Sequence, residues 1–416
     1  MTDIRPSNES KRLNIVHVLT RFERAGTEEN TAITCNGQVQ AGHKVTLIYG
    51  RDFSLEALTL LDPAVTRLMA PSMVREIRPI EDVRAVVELM HHFRVLKADV
   101  VHTHQSKAGL TGRLAAALSG VRRIVHGVHI LPFVNVSRLE RAVYIALEKL
   151  VAPFTHAFIH VTPALREESL AVGLGSADQH FVVPSGMDLR AFRTATPPDD
   201  AVHLTRPVRH EGPPARLILV VSSLEPRKRQ REFLQVLRGV VDSHRDVRVI
   251  FAGQGPDREA ILAEAERLGL ADNIELLGSR TDVPSLIALA DICVLASERE
   301  GLPRAVIQYA VGGRPIVAAA LPDIGRVVQE GVNGFLSPTD DLSPMTGRLT
   351  RLLEDDDLRR RMGEASANMD FSDWEGALMC DRISEVYDWV ANARVRGPAA
   401  SSGADRPVQE PKNRET

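Results

Sequence analysis

The sequence predicts an α/β protein in which two doubly wound domains face each other across a cleft. Short β-branched runs alternate with longer helical patterns from Leu13 almost to the end, as in parallel sheets covered by helices on both faces. A chain of 416 residues is long enough for two domains of ordinary size. Because periodicity disappears between Thr194 and Pro214, we expect a linker there.

The predicted elements follow the same alternation in both halves. In the first half we expect a strand at 13–19, a helix at 27–40, and strands at 44–49, 98–103, 123–126, 157–161 and 180–183. In the second half we expect strands at 216–221, 247–252, 274–277, 292–296 and 315–319, then helices at 343–362 and 374–393. Ligands of such sheets bind at the carboxyl ends of the strands, so the cleft is the expected site.

This pattern divides the chain into successive segments. We expect a disordered N-terminus at 1–11, a first domain at 12–195, a linker at 196–214, a second domain at 215–370, a C-terminal helix at 371–393 and a disordered tail at 394–416.

Composition indicates an ordinary intracellular globular protein. The net charge of -3, with 25% charged residues, does not favour nucleic acid as a partner. Three cysteines lie far apart without a CxxC motif, which is typical of reduced thiols. Residues 1–11 lack the apolar segment of a secretory signal, so we expect a cytoplasmic protein. Residues 91–170 contain ten Lys or Arg but only five Asp or Glu. This local excess of positive charge indicates either contact with an anionic membrane or simply a solvated basic surface.

Polar residues at the strand ends of the first half are candidates for ligand contact. Gly26 follows the first strand and would let the backbone approach a ligand, although a glycine between strand and helix is common in α/β proteins. Thr27 could cap the next helix. His102 and His104 share a strand face, but no further ligand completes a zinc site, so we expect no metal. His129 could bond a sugar hydroxyl or a leaving group, or could equally be a loop histidine bonded to backbone.

In the second half, Glu300 stands just before a predicted helix. Pro303 is expected at the first helical position, so the unpaired amides of the first turn and the positive end of the helix dipole face whatever Glu300 faces. This is a natural place to bind a phosphorylated sugar.

Basic residues and glycines mark two earlier loops of the second half. Three basic residues, Arg227, Lys228 and Arg229, stand at the predicted start of a helix, where positive charge opposes the helix dipole. We therefore expect an anion there, with Arg227 and Lys228 in contact with a phosphate. Gly253 and Gly255 form a loop between strand and helix that suits backbone contact with a nucleotide, although glycines alone are weak evidence.

Together these motifs resemble the retaining glycosyltransferases of family four, whose GT-B architecture has two facing Rossmann-like domains. The resemblance covers about Leu13 to Trp389. Its motifs are Gly26-Thr27-Glu28, Gly42-His43-Lys44-Val45, Val101-His102-Thr103-His104, Ser106-Lys107-Ala108-Gly109, residues 126–133, Val183-Pro184-Ser185-Gly186-Met187-Asp188, Leu224-Glu225-Pro226-Arg227-Lys228, Ala252-Gly253-Gln254-Gly255-Pro256, Glu300-Gly301-Leu302-Pro303 and Gly331-Val332-Asn333-Gly334-Phe335.

The resemblance implies transfer of a sugar from a nucleotide-diphosphate donor with retained anomeric configuration, with neither an essential metal nor another cofactor. The catalytic residues that it implies are Glu300, His129 and Lys228, with Glu300 on the donor sugar, Lys228 on the diphosphate and His129 on the sugar. The donor-binding residues that it implies are Gly26, Arg227, Lys228, Gly253, Gly255, Arg280, Gly301, Leu302 and Gln308. No Asp-x-Asp follows a strand, which agrees with metal independence.

On the acceptor side, the resemblance points to Thr27, His104 and Lys107. The version of the motif at Ser106-Lys107-Ala108-Gly109 looks most like enzymes that build surface polysaccharides on a lipid-linked acceptor. The expected partners are therefore a nucleotide sugar, a glycan or lipid-linked acceptor and an anionic membrane at its inner face. The final helix is expected to cross back to the first domain.

The chain departs from the family pattern at several positions. Gln308 stands where the family has a second Glu on the ribose, and Ser222-Ser223 stand where it usually has Gly-Arg. Arg229 and Ile130 each replace a usual glycine. We therefore favour an active transferase with an adjusted donor site over two alternatives: a partner subunit of a polysaccharide assembly complex that has lost turnover, and a sugar-nucleotide epimerase of similar architecture.

Overall fold

Two parallel sheets organise the part of the chain that the computed structural model describes, residues 12–134, 136–208 and 214–393. The disorder expected at 1–11 and 394–416 lies outside these residues. Each sheet is the centre of one Rossmann-like domain, so the predicted α/β class with two domains is confirmed. The predicted domain limits at residues 195 and 370 remain a prediction.

The first sheet has seven strands in the order β3-β2-β1-β4-β5-β6-β7, and all its pairings are parallel. The elements of this half are β1 (Asn14–Phe22), α1 (Gly26–Gln40), β2 (Lys44–Phe53), α2 (Leu55–Leu58), β3 (Thr66–Met69), α3 (Pro79–Leu96), β4 (Val100–His104), α4 (Ser106–Leu118), β5 (Arg123–Val128), α5 (Arg138–Val151), β6 (Ala157–His160), α6 (Pro163–Ala171), β7 (His180–Val182), α7 (Arg190–Arg193) and α8 (Ala201–Leu204).

The second sheet has six strands in the order β10-β9-β8-β11-β12-β13, again all parallel. The elements of this half are β8 (Arg216–Val221), α9 (Gln230–Ser243), β9 (Val247–Ala252), α10 (Arg258–Arg267), β10 (Ile274–Gly278), α11 (Val283–Leu289), β11 (Ile292–Leu295), α12 (Arg304–Val311), β12 (Ile316–Ala319), β13 (Gly334–Ser337), α13 (Pro344–Glu354), α14 (Asp356–Ala367) and α15 (Gly376–Ala393).

The strand order reverses once in each sheet. In the first sheet β1 lies between β2 and β4, and in the second β8 lies between β9 and β11. Ligands of open parallel sheets bind outside the carboxyl ends of strands at such reversals. The loops after β1, β4, β8 and β11 therefore define the region in which to look for a site.

The last helix, α15, belongs structurally to the first domain. Its residues Ile383 and Val390 are buried in one apolar cluster with Ile15 of β1, Val100 of β4 and Val125 of β5. The chain thus returns to the first domain after completing the second sheet.

Some elements differ from the predicted ones. The short edge strands β3 and β13 were not predicted. The helix predicted at 343–362 is two helices, since the side chain of Asp355 accepts a hydrogen bond from the Leu358 amide at 2.7 Å and caps the start of α14. The predicted linker contains α8, whose Leu204 is fully buried in the second domain, so this segment is not irregular throughout.

Candidate functional site

Glu300 lies at the centre of a cluster of charges after β11. Lys228 donates a short hydrogen bond to one carboxylate oxygen of Glu300, and Arg227 lies 3.3 Å from the other. Arg227 is also held by Glu225 at 2.9 Å. Burial would raise the pKa of Glu300, but Lys228 and Arg227 outweigh it and keep that pKa below its ordinary value. Glu300 is therefore an anion held between two cations.

This cluster changes the interpretation of the basic residues before α9. Arg227 and Lys228 lie in a 3-10 turn, Pro226–Lys228, and α9 begins only at Gln230, so they do not occupy its first turn. The anion that they face in this structure is the carboxylate of Glu300. A diphosphate that binds here would meet two cations, Arg227 and Lys228, which in the free protein are paired with the carboxylates of Glu300 and Glu225.

Pro303 precedes α12 instead of opening it, because the helix begins at Arg304. The turn that carries Glu300 packs tightly against the first domain. A Cβ on Gly301 would lie 1.7 Å from the backbone oxygen of His129, so only glycine fits. Leu302 packs against apolar clusters of both domains. The structure thus brings Glu300 and His129, which the sequence places far apart, next to each other across the cleft.

Arg304 bridges the cleft from the first residue of α12. Its guanidinium is 3.0 Å from the carboxylate of Glu29 and donates a 3.1 Å hydrogen bond to the backbone oxygen of Gly186. A Cβ on Gly26 would lie 2.9 Å from Arg304 Cδ, so Gly26 makes room for this side chain. Thr27 does not cap the helix as expected, because α1 begins at Gly26 and its N-cap is Ala25.

The glycine loop after β9 supports the loop after β8. A Cβ on Gly253 would lie 1.9 Å from the oxygen of Ser222, and one on Gly255 would lie 2.3 Å from that of Leu224. Both glycines are therefore required by packing between loops. Any contact of their backbone with a nucleotide would be additional to this role.

The residues that depart from the family pattern have partners of their own. Gln230 donates hydrogen bonds to Ser222 Oγ at 3.0 Å and to the Ser223 oxygen at 2.7 Å, which ties the loop to α9. Arg229 adopts a left-handed conformation with φ 56°, which explains why a glycine is usual there. Its side chain contacts Glu232 and the backbone oxygen of Thr339 instead of the Glu300 cluster.

Three further predicted residues are engaged in contacts within the protein. Gln308 is half-buried on α12, and its amide lies 3.9 Å from the sulfur of Met187. Arg280 is held by Asp200 at 2.9 Å and by Asp282 at 2.6 Å, and the hydrogen bonds to Asp282 and Asp200 raise its pKa. Lys107 is 2.6 Å from Asp82 of α3. All three side chains therefore already have partners within the protein.

A chain of hydrogen bonds lies beneath His129. Its Nε2 is 3.1 Å from Nδ1 of His104, whose Nε2 is 3.0 Å from Nδ1 of His17. His17 Nε2 is 2.8 Å from the side-chain oxygen of Gln38, and the amide of Gln38 donates to the hydroxyl of Tyr387 at 3.2 Å. His104 is buried and bonded to both His129 and His17, and its contact with an acceptor remains a prediction.

The buried histidines also raise the question of a metal. One nitrogen each of His17, His102 and His104 lies within 4.8 Å of the others, a grouping that the sequence did not reveal. His17 and His104 use these nitrogens for hydrogen bonds to each other and to the neighbours named above. We therefore interpret the cluster as a hydrogen-bonded chain.

Sequence patterns missed several residues of this region. Arg304 bridges the domains, and His17, Gln38 and Tyr387 complete the histidine chain. The alternation of β1 places His17 on one face of the strand, but only the register that sets His17 beside His102 shows that these residues meet.

Comparison with family models matches each half of the chain separately. Residues 25–191 match the model "Glycosyltransferase Family 4", and residues 206–369 match "Glycosyl transferases group 1". The two matched segments contain the loops of Gly26, His129, Lys228 and Glu300.

Comparison with curated proteins and solved structures finds related transferases. The chain is 26% identical to the Escherichia coli UDP-Gal:alpha-D-GlcNAc-diphosphoundecaprenol alpha-1,3-galactosyltransferase, over 80% of this chain and 86% of that protein. It is 25% identical to the putative glycosyltransferase EpsD of Bacillus subtilis, over 70% of this chain and 76% of that protein. The crystal structure of Anabaena HepE with UDP and glucose superposes with a TM-score of 0.76 at 19% identity, covering 91% of this chain and all of that one.

Proposed function

The chain belongs to the glycosyltransferases of family four, and on that premise we propose that it moves a sugar from a nucleotide-diphosphate donor to a lipid-linked or glycan acceptor during surface polysaccharide assembly. The observation that carries the proposal is the Glu300 cluster, which lies at the carboxyl ends of the second sheet and directly against His129 of the first domain. The alternative of a partner subunit without turnover is not favoured, because the relatives cited above carry the names of transferases.

We propose that Lys228 and Arg227 bind the donor diphosphate. When the bond between the sugar and the diphosphate breaks, negative charge develops on the leaving phosphate, and cations placed beside it stabilise that charge. These two side chains would do what a metal ion does in metal-dependent transferases. The proposal includes retention of the anomeric configuration, which rests on family membership alone.

In this scheme Glu300 has two roles. In the free protein it keeps Lys228 and Arg227 together and partly neutralises them. With donor bound, the cations would turn to the diphosphate, and the carboxylate of Glu300 would accept hydrogen bonds from sugar hydroxyls. His129, on the other side of the Gly301 turn, would contact the same sugar.

Nucleotide binding tests the proposal most directly. We expect UDP to bind more tightly than GDP or ADP in calorimetry, because UDP is named for both the E. coli relative and the HepE structure. Lys228→Ala should weaken UDP binding and lower donor turnover by about 100-fold or more, since it removes a charge-assisted contact to the diphosphate. Binding of uridine, which lacks phosphates, should be unchanged.

Arg231→Ala provides the matched control. Arg231 lies on α9 near Lys228, but it is half exposed and faces Asp257 at 3.8 Å, away from Glu300. It should leave UDP affinity and turnover unaltered. If no nucleotide binds the wild-type protein at millimolar concentration, the proposed transferase activity is wrong.

We also propose that α5 rests on an anionic membrane that holds the lipid-linked acceptor. Leu139, Val143 and Leu150 are exposed and form one apolar stripe along this helix, because they recur at helical spacing. Arg138 and Lys149 lie exposed along one edge of the stripe, so the surface combines apolar and cationic groups as peripheral membrane helices do. Within the described residues, no helix is long and apolar enough to cross a membrane.

Vesicle co-sedimentation tests this surface. We expect binding to vesicles of phosphatidylcholine with phosphatidylglycerol, weaker binding at high salt, and little binding to phosphatidylcholine alone. Leu139→Asp with Leu150→Asp should abolish binding, whereas Val332→Asp, at an exposed apolar position of the second domain, should not. If both variants sediment equally with the vesicles, the proposed membrane contact is wrong. It is also wrong if analytical ultracentrifugation shows a dimer of the chain that the two Leu→Asp substitutions dissociate.

A further inference from the structure

The hydrogen-bonded chain beneath the cleft connects His129 to the C-terminal helix. From His129 it passes through His104 and His17 to Gln38 of α1, and from there to Tyr387 of α15. The side chains of His17, His104 and Gln38 are almost fully buried, so water does not compete for these bonds. The transfer chemistry proposed above uses only the first member of this chain.

The amide of Gln38 gives the chain a direction. An amide accepts only at its oxygen and donates only from its nitrogen, and the nitrogen of Gln38 faces Tyr387. The oxygen must therefore accept from His17, which carries its proton on Nε2 and leaves Nδ1 as an acceptor. His104 must then donate from Nε2 to His17, and His129 must donate from Nε2 to His104. His129 is left with a lone pair on Nδ1.

The other end of the chain agrees with this direction. Because Tyr387 accepts from Gln38, its own proton is free to bond Nδ1 of His102, which is 2.8 Å away. His102 then carries its proton on Nε2. Among the described residues, this nitrogen and the side-chain oxygen of Asn30 have no hydrogen-bond partner, and both residues line one cavity of about 10 Å³. With the direction described above, His102 Nε2 is a donor and the Asn30 side-chain oxygen is an acceptor in this cavity. If every hydrogen bond of the chain ran the other way, both atoms would be acceptors.

The chain requires neutral imidazoles, and burial supplies that condition. Burial lowers the pKa of both His17 and His129 to about 4, although the hydrogen bond to Gln38 opposes the shift of His17 and Arg304 adds to that of His129. Burial also lowers the pKa of His104 well below the ordinary value. Each ring therefore has one donor and one acceptor at neutral pH, as a one-directional chain needs.

We propose that Gln38 and Tyr387 are positioning residues that hold His129 in the tautomer protonated on Nε2, so that its Nδ1 accepts a hydrogen bond from a hydroxyl of the donor sugar. The inference rests on the proposed function, because it takes the sugar to lie beside His129. The catalytic contact is that of His129, and the residues behind it act through its tautomer.

Nitrogen NMR of the full-length protein labelled at histidine tests the tautomer without any ligand. In the wild type, His17, His104 and His129 should all show protonation at Nε2. Gln38→Met keeps the side-chain volume but removes the acceptor of His17, and Tyr387→Phe removes the partner of the Gln38 amide. In both variants we expect His129 to show a mixture of tautomers.

A second histidine pair in the same domain is an internal control. His180 donates from Nε2 to the backbone oxygen of Leu174 at 2.6 Å, so its Nδ1 accepts from His160 at 2.8 Å. These two tautomers should be unchanged in both variants, which also shows that the domain remains folded. Protonation of wild-type His129 on Nδ1, or an unchanged His129 in both variants, would overturn the proposal. So would one equivalent of bound metal that is lost in His17→Asn.

Binding measurements separate the tautomer from general damage. UDP should bind the variants as it binds the wild type, because its proposed contacts lie in the second domain. The variants should bind UDP-galactose and UDP-glucose about tenfold more weakly relative to UDP, as expected for one lost hydrogen bond. The hydrolysis rate of whichever sugar nucleotide binds should also fall about tenfold. An equal loss for UDP and the sugar nucleotides would overturn the proposal. If UDP fails to bind the wild type, the proposed function is wrong, whereas the NMR result still decides the tautomer.

Discussion

The backbone oxygen of His129 lies directly against Gly301, so close that a Cβ on Gly301 would be 1.7 Å from it. These residues belong to different domains, and they follow β5 and β11 respectively. The contact sets how far the Glu300 turn stands from the first domain. The positions of the two sides of the proposed donor site are therefore coupled through one glycine.

Gly301→Ala should impair turnover without unfolding either domain. The methyl group must move the turn by more than 1 Å, and displacements of that size in an active site cost about 100-fold in rate. Donor hydrolysis or transfer measures the effect. Gly325→Ala is the control, because nothing lies within 4 Å of a Cβ at that position. Full activity of Gly301→Ala would mean that the two domains stand farther apart during catalysis.

Gln308→Glu should tighten UDP binding if this position contacts the ribose. A carboxylate forms stronger hydrogen bonds to hydroxyl groups than an amide oxygen does, and a gain of about 1 kcal/mol corresponds to roughly fivefold in affinity. Calorimetry with UDP measures the gain, and 2′-deoxy-UDP serves as the control ligand that should show less of it. Unchanged affinity for both ligands would mean that the ribose is held elsewhere.

Glu148→Ala should strongly destabilise the first domain. Arg113 is fully buried and lies 2.6 Å from Glu148, so its guanidinium would be left without a counter-charge. Breaking a buried ion pair on one side costs about 3–5 kcal/mol. The matched control is Glu364→Ala, which breaks an exposed pair with Arg360 and should cost much less. Urea denaturation compares the two, and similar costs would refute the prediction.

Acidification should destabilise the folded chain through its buried histidines. The folded pKa of His17 is about 4, below the ordinary 6.5 expected in the unfolded chain, so the unfolded state binds more protons below pH 6.5. The stability is therefore full above that pH and is lost as the pH falls toward 4. At pH 5 the loss is about 2 kcal/mol for such a histidine.

A pair of variants isolates this contribution. His17→Asn should reduce the stability difference between pH 7 and pH 5 by about 2 kcal/mol relative to wild type, as measured by urea denaturation. His91→Asn, at an exposed position on α3, should leave the difference unaltered. An identical pH dependence in both variants would show that His17 does not resist protonation in the folded protein.

Gly347→Ala should stabilise the second domain. Gly347 is exposed within α13, and a Cβ there would meet no atom within 4 Å. Alanine restricts the unfolded chain and favours the helix, which together contribute about 0.5–1 kcal/mol. Thermal unfolding should show a higher midpoint, and a lower one would indicate a contact that the packing does not suggest.

The sequence predicted the fold well because the relevant signals are local. The strands at 216–221 and 247–252 are mostly apolar runs, each with one arginine, and they match β8 and β9 at both ends. The edge strand β3 was missed because three of its four residues are exposed, so it contains no such run. Thr27 was expected to cap α1 but lies two residues after the N-cap, Ala25, because helix boundaries are poorly defined by sequence.

The site was only partly predictable because its contacts are between distant segments. Glu300, Lys228 and His129 stand out by residue type in short motifs. That Glu300 itself is the anion facing Lys228 depends on the packing of the loops after β8 and β11. The bridge from Arg304 to Glu29 depends on the relative placement of two domains, for which one sequence contains no local signal.

The return of α15 to the first domain makes the order of synthesis matter for folding. Ile15, Val100 and Val125 leave the ribosome well before the helix that covers them with Ile383 and Val390. Until α15 is made, the part of this face around Ile15, Val100 and Val125 lacks most of its apolar cover. The first domain therefore completes its core only after the whole second domain has been translated, and a fragment that ends near residue 195 would expose that face to other chains.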